Sequence, residues 1–264
     1  MESAEPISPY FVSGPSVKGL KYFCTTRQLS QLPQYETDAF NLGLNTPEES
    51  DRVLANRASL CELASLPAVP LWLRQVHGTE VFDADQQIIA PEQDRQADAI
   101  VTTRSDRVLA ILTADCLPVV FWDGPATVVG AAHAGWRGLL DGVLENTWAE
   151  LIRKRPDNKD WHAWIGPAIS QPCFEVGQEV YDGFVARDGE LKQFFKPGLF
   201  AHKWYADLNG IAEFLLRKIS SGYIQVYQSR ACTYTDSKRY YSYRRSSETG
   251  RQATIVYLTS ASSV

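Results

Sequence analysis

The run "LTADCLPVVFWDGPATVVGAAHAGWRG", residues 112–138, reads as two buried strands in succession. Its apolar, β-branched residues are almost continuous, the composition of central strands covered on both faces rather than on one. Two side chains break the pattern. Cys116 and His133 stand where apolar residues are easier to bury, and each has chemistry of its own.

Working outward, further short strands are predicted at "VKGLKYFCTT" (17–26), "PLWLRQVHG" (70–78), "ADAIVTT" (97–103), "RVLAILTADC" (107–116), "WHAWIG" (161–166), "YIQVY" (223–227) and "ATIVYL" (253–258). The first clear helix is "TPEESDRVLANRASLCELASL" (46–66), with Thr46 as N-cap, Pro47 at the first helical position and Glu49 completing a capping box. Val53, Leu54, Cys61 and Ala64 share its predicted inner face. A second helix is predicted across "GWRGLLDGVLENTWAELIRKR" (135–155), with Leu139, Leu140, Val143 and Ile152 near one side and a stop before Pro156. "GQEVYDGFVARD" reads as a short helix. "DLNGIAEFLLRKIS" reads as a longer one starting at Asp207, its stripe formed by Ile211, Phe214, Leu215 and Ile219. Short strands next to one another, with helices interspersed, imply an α+β fold. The expectation is a single layered domain over residues 1–264, with a mixed β-sheet and flanking helices.

Hydrophobic residues make up 44% and charged residues 22%, the balance of an ordinary globular protein. A net charge of -5 supplies no general field for a polyanion, so nucleic acid is not an expected partner. No run approaches the ~18 apolar residues of a membrane span. The opening "MESAEPISPYFVSG" does not resemble a signal peptide. Five widely spaced cysteines argue against a disulfide framework and for a reducing, cytoplasmic setting.

Only four histidines occur, and two of them, His77 and His133, stand where an apolar run gives way to glycine. Cys116 closes a third such run. Strand ends can bring distant residues together at one edge of a sheet, although the separations here match no local metal motif. If the three converge, one thiolate and two imidazoles suit Zn²⁺ and leave a fourth position for water or substrate; copper also accepts these donors. The alternative for each is an ordinary buried residue. Asp115 reads either as a partner or proton shuttle for such a site or as a turn residue. The segment "AGWRG" opens a helix whose free N–H groups, with Arg137, could take an anion, or whose glycines simply allow close packing. Arg244 and Arg245, set among tyrosines in "YYSYRRSSETGR", suit phosphate binding or ring stacking, or form an exposed, solvated strand.

Taken together, "LRQVHGTEV", "ADAIVTT", "LTADCLPVVF", "GAAHAGWRGLLDGV", "WIGPAISQPCFEVGQEV" and "YYSYRR" resemble the laccase-domain, or multicopper polyphenol oxidase, family over about residues 20–258. Its members are now described as purine nucleoside phosphorylases, some with a peptidoglycan-editing role. The resemblance implies metal ligation by His77, Cys116 and His133. It further implies phosphorolysis of adenosine, inosine, guanosine and methylthioadenosine, with adenosine deamination besides. Arg137, Arg244 or Arg245 would then orient phosphate, and Asp115 and Glu175 are candidates to carry the proton. "TTR" (25–27) and "FNLGLNT" (40–46) match the family too, but "QLSQLPQYETDA" replaces the glycine-rich segment that usually follows the arginine. A cysteine hydrolase with Cys116 as nucleophile is the competing class. A copper phenol oxidase is disfavoured by the scarcity of histidine.

Overall fold

A computed structural model describes residues 10–27, 40–86 and 91–259. The strands and helices run in the order β1 (Phe11–Val12), β2 (Leu20–Thr25), α1 (Ser50–Leu63), β3 (Val81–Asp83), β4 (Ala99–Thr102), β5 (Leu109–Thr113), β6 (Leu117–Asp123) and β7 (Val129–Ala134). They continue as α2 (Trp136–Asp141), α3 (Val143–Lys154), β8 (Trp161–Ile165), β9 (Glu175–Gly177), α4 (Gln178–Arg187), β10 (Phe195–Pro197), β11 (Lys203–Ala206), α5 (Leu208–Ile219), β12 (Ile224–Gln228) and β13 (Gln252–Leu258). A six-stranded sheet, β12-β8-β6-β7-β4-β3, is mixed: its outer pairs β12–β8 and β3–β4 are parallel and the inner ones antiparallel. A four-stranded sheet, β1-β2-β13-β5, is antiparallel throughout, and a small sheet joins β10, β11 and β9.

The two-residue period of the strands sorts their side chains into layers. Val120 and Trp122 of β6, Val129 and Ala131 of β7 and Ile100 of β4 meet Leu20, Tyr22, Ile111 and Val256 from the four-stranded sheet, so the two large sheets pack face to face. The alternate residues Val119, Phe121, Ala132 and Val101 turn to the opposite side, onto Leu144 and Leu151 of α3 and Ile211 and Leu215 of α5. Phe23, Ala110 and Ile255 face outward from the four-stranded sheet and pack with Leu60 of α1. The result is helix, sheet, sheet, helix. Both faces of β6 and β7 are therefore covered, which is why their composition is almost continuously apolar.

Several local expectations change. Helix α1 starts at Ser50 after Glu49, not at the predicted cap Thr46, because the Thr46 hydroxyl is used in the preceding loop, between Gly43 O and Asn41 Nδ2. Its inner face holds Val53 and Leu60 but also Asn56 and Arg57, while Leu54 is half exposed and Cys61 and Ala64 are only partly covered. Asn56 and Arg57 bond the carbonyls of Asn41 and Leu42, so polar anchors replace the predicted apolar stripe. Residues 70–78 make only the isolated bridges Leu71–Leu109 and Arg74–Gln96 and belong to no ladder. The predicted helix 135–155 breaks at Gly142, whose φ of 106° is left-handed and strained for any residue with a Cβ. Asp207 does cap α5, accepting from the Gly210 amide. Among the described residues, no helix is long and apolar enough to cross a membrane.

Candidate metal centre and cavity

His133 lies on β7, directly across from Pro118 of β6, and so is carried by the centre of the large sheet. Cys116 sits in the tight turn between β5 and β6, the connection that crosses from one sheet to the other, rather than at the end of the strand that precedes it. His77 comes from the extended segment before β3. These three converge. Their ligand atoms all lie within 4.8 Å of one another, with His77 Nε2 3.9 Å from Cys116 Sγ. A tetrahedral zinc site has a sulfur-to-nitrogen edge of about 3.6 Å, so the spacing fits a shared ion with little movement.

One carboxylate holds two of the three in place. Asp98, fully buried just before β4, accepts the amides of Val76, His77 and Gly78 at 3.1, 2.9 and 2.7 Å. Its Oδ1 also accepts from His133 Nδ1 at 2.8 Å, which fixes the proton on that nitrogen and leaves Nε2 to ligate. Burial would raise the Asp98 carboxyl, but the His133 bond and the amides outweigh it and hold it below the usual range. The same fan of bonds keeps His77 in a left-handed conformation, φ 63°. Gly135 completes the cradle: a Cβ there would lie 3.0 Å from both Cys116 Sγ and His77 Cδ2.

The ligands are also poised electrostatically. Burial pushes the Cys116 thiol up, and the opposing charge and hydrogen bonds of His133 and His77 more than reverse this, bringing it down to about 6. In turn, His133 is raised despite its burial, by Cys116 and Asp98. A thiolate beside imidazoles, with a carboxylate behind, is a donor set that suits a zinc or copper ion.

A cavity of about 540 Å³ opens over the cluster, and Arg137, Arg244, Arg251, Tyr243 and Phe174 line it. Arg137 stacks on Trp136 at 4.3 Å, and Arg244 lies 5.0 Å over Phe174 with Nη1 donating to Glu175 O. Arg251 lines the wall from the end of the loop before β13, with its backbone amide bonded to Asn41 Oδ1 and its Nη1 to the carbonyls of Thr249 and Gly250. Sequence reasoning missed Arg251 and Asp98. Arg251 ends the quoted run "YYSYRRSSETGR", and Asp98 is the one charge inside "ADAIVTT".

Three predicted site residues have other surroundings. Arg245 is not among the cavity-lining residues: its guanidinium donates to the carbonyls of Thr233, Tyr234 and Tyr240 and closes the loop on itself. Glu175 is not among them either, and its carbonyl serves Arg244. Asp115 does line the cavity, yet its carboxylate is occupied by Thr233 Oγ1 at 2.6 Å, Ser242 Oγ at 2.9 Å and the Arg244 amide at 2.7 Å. With φ at 94°, Asp115 ties the turn bearing Cys116 to the loop bearing Arg244. Residues 28–39, the departure noted after Arg27, lie outside the described residues.

Known proteins resemble this chain in sequence and in fold. The protein named "Purine nucleoside phosphorylase YfiH" of Escherichia coli K12 is 39% identical over 245 residues, spanning 92% of this chain and 96% of its own length. "Purine nucleoside phosphorylase PA4543" of Pseudomonas aeruginosa is 40% identical over 235 residues, 89% of this chain and 92% of its own. The crystal structure of Neisseria meningitidis protein NMB0706 superposes with a TM-score of 0.83 at 35% identity, covering 95% of this chain and all of that one. The family model described as multi-copper polyphenol oxidoreductase laccase matches residues 21–259. The chain belongs to that family.

Proposed function

We propose that the chain is a zinc-dependent purine nucleoside phosphorylase. The observation that carries this reading is one cavity with a His-Cys-His cluster at its base and Arg137, Arg244 and Arg251 on its walls. The relatives named above as purine nucleoside phosphorylases supply the substrate class. Among the described residues this is the one group placed to hold a metal, which favours a single ion over a multicopper assembly.

In phosphorolysis, a phosphate oxygen forms a bond to the sugar C1′ as the bond from C1′ to the purine nitrogen breaks, and the departing base takes a proton. Arg137 and Arg244, each already stacked on an aromatic ring, orient the phosphate through charge-assisted bonds. Arg251 adds positive charge from the far end of the loop that carries Arg244, and Tyr243 and Phe174 offer flat surfaces to the base. Asp115 positions rather than transfers, since its carboxylate is engaged by three donors. Bound zinc supplies a Lewis acid at the cavity base. Adenosine deamination belongs to the same proposal as a second activity.

The test is elemental analysis of the purified protein together with product analysis on adenosine, with and without phosphate. Adenine with ribose 1-phosphate is expected, in the presence of phosphate and with zinc near one per chain. Inosine formed without phosphate reports the deamination. Formation of neither adenine nor inosine overturns the proposal.

One arrangement favours a second reading. Cys116, His133 and Asp98 form a nucleophile, base and orienting-carboxylate series. A thiol hydrolase of this kind keeps its activity after chelation and loses it on alkylation of Cys116, whereas a zinc site protects that thiol while the metal is bound.

A further inference from the structure

A pair of thiols, apart from the ligand cluster, shares one hydroxyl. Ser170 Oγ lies 3.0 Å from Cys232 Sγ and 3.7 Å from Cys173 Sγ, and the Ser170 amide donates to Cys232 Sγ at 3.4 Å. These cysteines are distant in sequence, but Cys232 forms a β-bridge with Ala168, which sets it against the turn at 171–173. Both are free thiols and both are partly exposed, so a small solute can reach them.

We propose that Cys173 and Cys232 form an oxidisable dithiol that reacts with a hydroperoxide and closes to a disulfide. Cys232 is the attacking sulfur because the Ser170 hydroxyl and amide, with Thr235, direct hydrogen bonds at it. Burial pushes its thiol up, and those bonds reverse the effect and bring it down to about 7. Burial keeps Cys173 raised, so it stays a protonated, resolving thiol. In the first step the Cys232 thiolate forms a sulfur-oxygen bond as the peroxide bond breaks; the other oxygen leaves and takes a proton, giving a sulfenic acid. In the second, the Cys173 sulfur attacks Cys232, the sulfur-oxygen bond breaks, and the hydroxide leaves with the Cys173 proton as water. The thiols lose two electrons and the hydroperoxide gains them.

The position links this chemistry to the cavity without resting on the nucleoside reading. Thr233, next to Cys232, holds Asp115, and Phe174, next to Cys173, lines the cavity wall. A disulfide would tie these two segments together.

The experiment treats the full-length protein with equimolar hydrogen peroxide, then maps thiols by differential alkylation and peptide mass analysis. A cross-linked peptide joining Cys173 and Cys232 is expected, lighter by two hydrogen atoms and released by dithiothreitol. In Cys173→Ser, a sulfenic acid at Cys232 trapped by dimedone is expected instead. Oxidation at other cysteines with these two unchanged, or sulfinic acid at Cys232 without a cross-link, overturns the proposal.

Discussion

Asp98 Oδ1 stands 2.8 Å from His133 Nδ1, while the same carboxylate gathers three successive amides of the segment that carries His77. One buried side chain therefore sets the tautomer of one ligand and the backbone position of another. Asp98→Asn keeps the shape but replaces one acceptor oxygen by a donor, facing either amides or the ring N–H. Metal affinity is expected to fall about 10–100-fold, the range for loss of such an orienting partner. Competition against a chromogenic zinc chelator measures this, and unchanged affinity would refute the orienting role.

Gly135→Ala addresses the cradle from the other side. Its added Cβ meets Cys116 Sγ and His77 Cδ2 at 3.0 Å, closer than ordinary contact, and both neighbours are ligands rather than flexible surface chains. Substoichiometric metal after purification is expected, with helix and sheet content by circular dichroism unchanged. Full occupancy would mean that the turn relaxes freely.

Adjacent arginines should separate cleanly. Arg244→Ala removes a cavity-lining charge and is expected to raise KM for phosphate while Tm stays nearly constant. Arg245→Ala removes donors from three backbone carbonyls of one loop and is expected to cost about 2 kcal/mol in unfolding free energy. Steady-state kinetics with phosphate varied and thermal melts of the two variants give the comparison. The reverse pattern would place Arg245, not Arg244, at the phosphate.

Why one arginine is legible and its neighbour is not lies in what each bonds. "YYSYRR" announces polar chemistry, but only the carbonyl positions of Thr233, Tyr234 and Tyr240 reveal that Arg245 is used internally. Strands β4 to β8 are readable because apolar, β-branched runs of this length have few other uses. Their partition between two sheets is not, since a strand apolar on both sides does not say what covers each. His77, Cys116 and His133 stood out as reactive groups in apolar context, and the fold brings them together. Asp98 stayed hidden for the opposite reason: a single carboxylate within "ADAIVTT" looks like a strand edge until its four donors are in place. Thr46 misled because a hydroxyl that can cap a helix can equally close the loop before it.

The last prediction concerns pH and lies away from the cavity. Asp85 Oδ1 accepts from Thr102 Oγ1 at 2.7 Å and the Thr103 amide at 2.8 Å, and Oδ2 accepts from Thr103 Oγ1 at 2.8 Å and Lys154 Nζ at 2.7 Å. Burial alone would raise its carboxyl; Lys154 and the two threonines outweigh burial and hold it well below the usual carboxylate range. A folded-state value below the unfolded one, about 3.9, means that the ionised form stabilises the fold. This contribution is complete above about pH 5 and fades as pH falls through the depressed folded-state value. Asp85→Asn turns an amide toward Lys154, which is only 7% exposed and keeps Asp83 as its remaining carboxylate. The variant is expected to lose about 3 kcal/mol at pH 7. Its deficit relative to the parent should narrow steadily below pH 4, because the parent loses there what the variant never had. Urea unfolding of both proteins from pH 7 to pH 2.5 follows that difference, and a gap that stays constant or widens toward acid would show that Asp85 does not hold its proton off in the fold.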